Sequence, residues 1–180
     1  DAGPHFLEFL RELSIECHKN NLVLSVDNPV PEDFTSHYDR REQGMVVDYI
    51  VIMGYDEHYV GSDAGSVASL PWVEQGVQDT IAEAPAERTV LAIPFYTRLW
   101  TEAGDGTITS KAMGIAEEKR WVDNNQVELT WQADTAQYYG EVQTSDGAQF
   151  LWMEEERSLK EKMNVIRQND LAGVACWKLG

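Results

Sequence analysis

The stretch Val46-Val47-Asp48-Tyr49-Ile50-Val51-Ile52-Met53-Gly54-Tyr55 decides the fold class. Apart from Asp48 it is apolar on both of its alternating faces, so a strand built from it has to be covered on both sides. That is the pattern of a parallel sheet with helices over its two faces. Thr89 to Phe95 and Gly173 to Leu179 repeat it. A shorter run, Leu22 to Val26, ends at Asp27-Asn28-Pro29, where proline disfavours helix for the residue before it and opens a loop.

Helical spacing fills the intervals. Phe6, Phe9, Leu10, Leu13 and Cys17 recur at three- and four-residue steps between Pro4 and Asn20, and Asn20 with Asn21 stops that helix. Pro31 to Gln43 reads as a loop leading into a short polar helix capped by Gly44. Pro71 to Ala84 is amphipathic, with Trp72, Val73, Val77 and Ile81 inward, and Ser158-Leu159-Lys160-Glu161 is a capping-box signature opening a helix to Gln168. Strands alternating with helices make right-handed βαβ units, and the expected class is α/β.

One segment breaks the rhythm. After Trp100 the spacing predicts a helix over Ser110 to Val122, then alternating Val127, Leu129 and Trp131, then Tyr138-Tyr139, Phe150 and Trp152, with a hairpin turn at Asp146-Gly147. This reads as a small α+β insertion over residues 101–156, carried on a βα loop between 1–100 and 157–180. Loops at the C-terminal ends of parallel strands are where α/β folds build their sites.

Composition narrows the partners. With 14 basic against 31 acidic side chains the formal net charge is −17, which repels a phosphate backbone and argues against nucleic acid. No apolar run approaches the ~20 residues needed to span a bilayer, so no membrane partner is expected. At 180 residues the chain suffices for one core, and 43% hydrophobic with 25% charged residues is an ordinary globular balance. Cys17 and Cys176 outline no disulfide framework. The chain opens at Asp1 without a leader, and reads as cut from a longer one or as freed of its leader.

Side chains suited to chemistry gather at strand exits. Alternation puts Met53 and Tyr55 on one face, with Asp56 following, and puts Tyr96 and Arg98 together with the Trp100 indole nearby. Trp177, near the end of the last run, offers an aromatic platform for the flat face of a pyranose. Asp56-Glu57-His58 has metal-ligand types, but adjacent residues point in different directions and no second cluster completes a sphere. His5, His18 and His37 are scattered, and no Gly-rich phosphate loop is present. No metal or cofactor is expected.

Met53-x-Tyr55-Asp56, Pro94-Phe95-Tyr96-x-Arg98-x-Trp100 and Gly173-Val174-Ala175-Cys176-Trp177 resemble, in order and spacing, the sixth, seventh and eighth strand motifs of glycoside hydrolase family 18. Val47-Asp48-Tyr49 through Glu57-His58-Tyr59 is similar to the cell-wall and spore-cortex branch of that family. The resemblance covers essentially the whole chain. It implies the C-terminal half of a TIM-type (β/α)8 barrel, strands five to eight, with the α+β insertion before the last helix and strand. It also implies β-1,4-linked N-acetylglucosamine glycans, chitin or peptidoglycan, as substrate. Hydrolysis would be retaining and substrate-assisted, with the sugar's own N-acetyl oxygen as nucleophile. Tyr55 and Asp56 would support catalysis, while Met53, Tyr96, Arg98, Trp100 and Trp177 would bind substrate. The implied location is extracellular, at the cell wall or spore.

The departure from the family is as informative. Its Asp-x-x-Asp-x-Asp-x-Glu motif has no counterpart in these 180 residues. Glu154-Glu155-Glu156 reads as carboxylates at the positive end of a helix rather than as a substitute. In the family that motif precedes a helix like Pro4 to Asn20, so the expectation is a chain that starts just after it, grips sugar and does not hydrolyse alone. A noncatalytic carbohydrate-binding module is the alternative. Unpaired sheet edges would favour self-association or pairing with the missing half-barrel.

Overall fold

The computed structural model describes residues 3–178, which form two compact units. Within the described residues the first comprises residues 3–54, 74–92 and 165–175, the second residues 55–73, 93–164 and 176–178. Elements run in the order α1 Gly3–Lys19, β1 Ser25–Pro29, α2 Arg40–Val46, β2 Tyr49–Met53, α3 Leu70–Ile81, β3 Thr89–Pro94, β4 Tyr96–Glu102, β5 Ile108–Gly114, α4 Ile115–Asn125, β6 Leu129–Gln132, β7 Gln137–Thr144, β8 Gly147–Met153, α5 Glu156–Gln168 and β9 Gly173–Trp177. Leu179, the expected end of the last strand, lies outside the described residues, as does Asp1.

A four-stranded sheet in the order β1-β2-β3-β9 is the framework of the first unit. β1 pairs parallel to β2, and β2 parallel to β3. Ile50 and Ile52, on one face of β2, are 1% exposed, while Tyr49 on the other face is 40% exposed and Val51 and Met53 are half-buried, so the two-sided coverage expected from the sequence is met on one face alone; Leu10, Val26, Val47, Ile50 and Ala84 share a core with Phe6 and Leu24 against it. Leu7, not Phe9, completes the inward stripe of α1: Phe9 is 54% exposed. Asn21 at φ 55 closes the helix in the left-handed conformation, as the Asn pair suggested.

In the first unit three boundaries differ from the sequence reading, each because of a contact with another segment. The first strand does not occupy Leu22 to Val26; it begins at Ser25 and takes in Asp27, Asn28 and Pro29. Its buried polar position, Asn28, donates its amide to Gln43 at 2.6 Å, and Pro29 is tolerated because β1 is a sheet edge. Val46 belongs to α2, and Asp48 precedes β2, exchanging bonds with Leu24: its backbone N–H donates to the Leu24 carbonyl and its carboxylate accepts from the Leu24 N–H. Gly44 lies inside α2 instead of capping it, and a Cβ there would stand 3.2 Å from Pro85 Cδ; close packing, not a turn, selects this glycine.

In the second unit a five-stranded sheet runs β5-β4-β8-β7-β6. Ser110 to Gly114 is not the start of a helix. It is the end of β5, with Ser110, Ala112 and Gly114 opposite Trp100, Arg98 and Tyr96 of β4, and α4 starts only at Ile115. Sheet pairing overrides helical spacing here. β7 and β8 form the expected hairpin, with Thr144 opposite Gly147. Gly147 has φ +128, and a Cβ on it would fall 2.1 Å from the Glu102 carbonyl oxygen, so only glycine fits.

Two polar devices hold this unit. Helix α5 opens one turn earlier than expected: Glu155 accepts from the Arg157 and Ser158 N–H groups while the Ser158 hydroxyl accepts from the Glu155 N–H. Below it lies a buried network. Glu154, 0% exposed, accepts from Lys162 Nζ at 2.8 Å, Gln137 Nε2 at 2.7 Å and Ser158 Oγ at 2.9 Å. Gln137 in turn accepts from Ser66 at 2.5 Å, pinning the loop that follows Tyr55. Glu118 of α4, also 0% exposed, accepts from the Glu154 N–H at 3.4 Å and leaves Oε1 without a partner. Burial and the nearby Glu154 charge push its carboxyl up to about 9. Burial raises Glu154 as well, and Lys162 works against that rise.

Candidate functional site

The second unit carries a cavity of about 670 Å³, lined among others by Asp56, Phe95, Tyr96, Arg98, Trp177 and the Met113–Arg120 segment. This volume suits a small-molecule or sugar-ring ligand. Its wall follows from the strand code. In β4 the residues alternate, so Tyr96 and Arg98 share a face while Thr97, 1% exposed, bonds the Trp152 carbonyl from the other. Asp56 takes φ 63, a left-handed turn unusual outside glycine, immediately after Tyr55.

At the centre, the Tyr96 hydroxyl donates to Asp56 Oδ1 at 2.5 Å. Burial, then the bond to Asp56 and its charge, raise the Tyr96 pKa well above the usual phenol value. Tyr96 therefore keeps its proton and serves as a donor, while Asp56 remains exposed and keeps acceptor capacity. The Tyr55 ring lies 6.4 Å from that of Trp177, nearly parallel at 17°, and 6.3 Å from that of Tyr96 at 70°. Trp177 is 54% exposed, leaving indole surface for a ligand. Arg98 donates from Nη1 to Ser110 Oγ at 3.2 Å, and its buried Nε has no hydrogen-bond partner.

The expected residues divide. Tyr55, Asp56, Tyr96, Arg98 and Trp177 come together. Trp100 does not line the cavity: it is 1% exposed and its indole N–H donates to the Gly65 carbonyl at 2.9 Å, which anchors the Tyr55–Ser69 loop over β4. Met53 is in the first unit and does not line the cavity either. The three residues of Asp56-Glu57-His58 go separate ways, with Glu57 accepting from Ser69 and His58 Nδ1 against the Asp63 carbonyl. The Ile115 to Arg120 part of the wall, and Lys178, carried no motif. The signal was Gly114 followed by Glu117 in the first helical turn, a helix start hidden by the run beginning at Ser110.

The chain is 27% identical over 182 residues to the protein named "Putative sporulation-specific glycosylase YdhD" of Bacillus subtilis, covering 97% of this chain and 43% of that protein. To the cortical fragment-lytic enzyme of Bacillus subtilis it is 25% identical over 181 residues, covering 96% of this chain and 42% of the relative. The chain thus spans about half the length of the curated relatives it matches. The crystal structure of a chitinase from Chromobacterium violaceum superposes with a TM-score of 0.91 at 24% identity, over 99% of this chain and 57% of that one. This likeness shows the fold, the α/β architecture of the barrel chitinases. The family model for glycosyl hydrolases family 18 matches residues 2–180, and the chain belongs to that family.

Proposed function

We propose that these residues form the sugar-gripping part of a glycoside hydrolase acting on β-1,4-linked N-acetylglucosamine glycans, chitin or peptidoglycan, at the cell wall or spore. The observation that carries this is the constellation at one cavity: a protonated Tyr96 bonded to Asp56, a Tyr55 ring beside the half-exposed Trp177 indole, and Arg98 with an unsatisfied Nε. The relatives' names, a cortical fragment-lytic enzyme and a chitinase, support the substrate class and the location.

In this reading the acetamido oxygen of the bound sugar attacks its own anomeric carbon. Asp56, fixed by the Tyr96 hydroxyl, accepts the acetamido N–H and orients that oxygen; Tyr55 donates to the acetamido group and Trp177 floors the ring. Trp100 acts from behind, by holding the loop that follows Tyr55. The acid that protonates the leaving oxygen comes from outside these 180 residues, and the 101–156 segment is the insertion that walls the cleft. The outer edges β1 and β9 pair with further strands, of the longer protein or of a second copy.

Calorimetric titration with the N-acetylglucosamine tetramer tests the reading. Binding should weaken about tenfold in Trp177→Ala. Turnover should be absent from the 180 residues and appear when an upstream acid-bearing segment is supplied; binding with no gain in turnover would instead mark a noncatalytic module. Absence of binding by both forms would refute the sugar reading.

A further inference from the structure

The cavity's charge is out of keeping with the rest of the molecule. In a chain of net charge −17, three cationic side chains line this one cavity: Arg98, Arg120 and Lys178. Among the described residues the acids that line it are Asp56 and Glu117: Glu117 is paired with Lys111 Nζ at 2.6 Å, and Asp56 accepts from the Tyr96 hydroxyl at 2.5 Å, a neutral donor, so three cations border the space with one carboxylate that no cation pairs. The three cations have no carboxylate partner of their own. Among the described residues Arg120 and Lys178 make no ion pair or side-chain hydrogen bond, and Arg98 has a serine hydroxyl at 3.2 Å and a bare, buried Nε. An acidic protein with abundant carboxylates elsewhere leaves these three without one.

The first turn of α4 adds to the same field. Gly114, its N-cap, has no side chain to occupy the turn's N–H groups, and Gly114, Ile115 and Ala116 all line the cavity. Backbone donors and the positive end of the helix therefore face the space that the three cations border.

We propose that this cavity selects a glycan carrying a carboxylate, with Arg120 and Lys178 as specificity-determining residues beside the sugar-ring grip. The inference rests on the proposed function and sharpens it: the substrate is an acidic N-acetylated glycan of the peptidoglycan type, not neutral chitin. The carboxylate has two sources, a lactyl ether on the sugar itself or the end of a short peptide attached to that ether. Both present the same group to the same cations.

Three ligands separate the possibilities: the neutral N-acetylglucosamine tetramer, a tetrasaccharide of equal length with free lactyl carboxylates, and that tetrasaccharide with each lactyl group amidated by a dipeptide ending in a free carboxylate. Titrations compare the intact protein with Arg120→Ala/Lys178→Ala and Arg120→Lys/Lys178→Arg. Both altered side chains are at the surface, so folding is preserved. The acidic ligand should bind about fivefold more tightly than the neutral one at low salt. The gap should close in the alanine variant and at about 0.5 M salt, and persist in the charge-conserving one. Advantage confined to the dipeptide form assigns the carboxylate to the stem; advantage already present in the lactyl form assigns it to the sugar. Equal binding of neutral and acidic ligands, or a gap that survives the alanine variant, overturns the inference while leaving Trp177-dependent sugar binding intact. If no glycan binds, the sugar reading and this inference fall together.

Discussion

Replacing Glu118 by glutamine should change how stability depends on pH. Glu118 is fully buried, one oxygen has no partner, and the other has only the Glu154 N–H at 3.4 Å. Ionising it would set a second negative charge near Glu154, whose compensating groups, Lys162, Ser158 and Gln137, are already committed. Its folded pKa is accordingly raised, to about 9, against an ordinary carboxyl value of 4.5. Between those values the folded state binds a proton that the unfolded state has lost, so stability falls as pH rises and is greatest below the unfolded value. One such proton corresponds to ~1.4 kcal/mol per pH unit, or at most about 2.7 kcal/mol from about pH 6 to about pH 8. Glutamine keeps the shape without the titration. Urea unfolding should therefore show the variant losing less stability than the parent over that interval, by about 2 kcal/mol. All six tryptophans are in the unit that contains Glu118, so indole fluorescence reads the correct unfolding. Parallel pH profiles for parent and variant would refute the claim that Glu118 is buried as a neutral acid.

Other outcomes follow from single contacts. Lys162→Met leaves Glu154 as an unpaired buried carboxylate and should cost about 3–5 kcal/mol near pH 7 in urea melts, with part recovered by adding Glu154→Gln. Gly147→Ala forces a Cβ against the Glu102 carbonyl at a positive φ, and should lower stability by about 3 kcal/mol by the same measurement. Arg157→Ala removes a guanidinium 3.5 Å from the Trp131 ring centroid, for a loss of about 1 kcal/mol. Tyr96→Phe removes the bond to the exposed Asp56 carboxylate. It should leave the urea midpoint nearly unchanged while weakening calorimetric binding of the N-acetylglucosamine tetramer several-fold.

What could be read in advance depended on the range of the forces involved. The apolar run around Ile50 and Ile52 announced a parallel strand, and the pairing with β1 and β3 is there, but only the Ile50 and Ile52 face is buried, because what covers the Tyr49 face is not written in neighbouring residues. That Tyr55, Asp56, Tyr96, Arg98 and Trp177 lie near one another was legible because strand alternation and the family motifs both point to strand exits. The misread pieces were set by partners distant in sequence. Ser110 to Gly114 has helical spacing and becomes a strand because β4 pairs with it. Asn28 enters a strand with its amide nitrogen bonded to Gln43, fifteen residues away. Trp100 reads as a substrate-binding residue by the family motif, and its burial under the Gly65 carbonyl follows from a loop whose path no local pattern records. Arg120 and Lys178 line the cavity without a signal in the sequence, since isolated surface cations carry no pattern.

The junction between β3 and β4 imposes a rule of parity on this protein. Phe95 alone separates the two strands, and from there Tyr96 and Arg98 face the cavity while Thr97 faces away. A substitution at Phe95 alters one side chain, whereas deleting it would exchange every even position for an odd one along β4. The phenol and guanidinium would turn from the cavity, and Thr97 and Leu99 would replace them. The segment can therefore drift in letter but not in count, and a one-residue indel there is a more complete loss of the site than any point mutation.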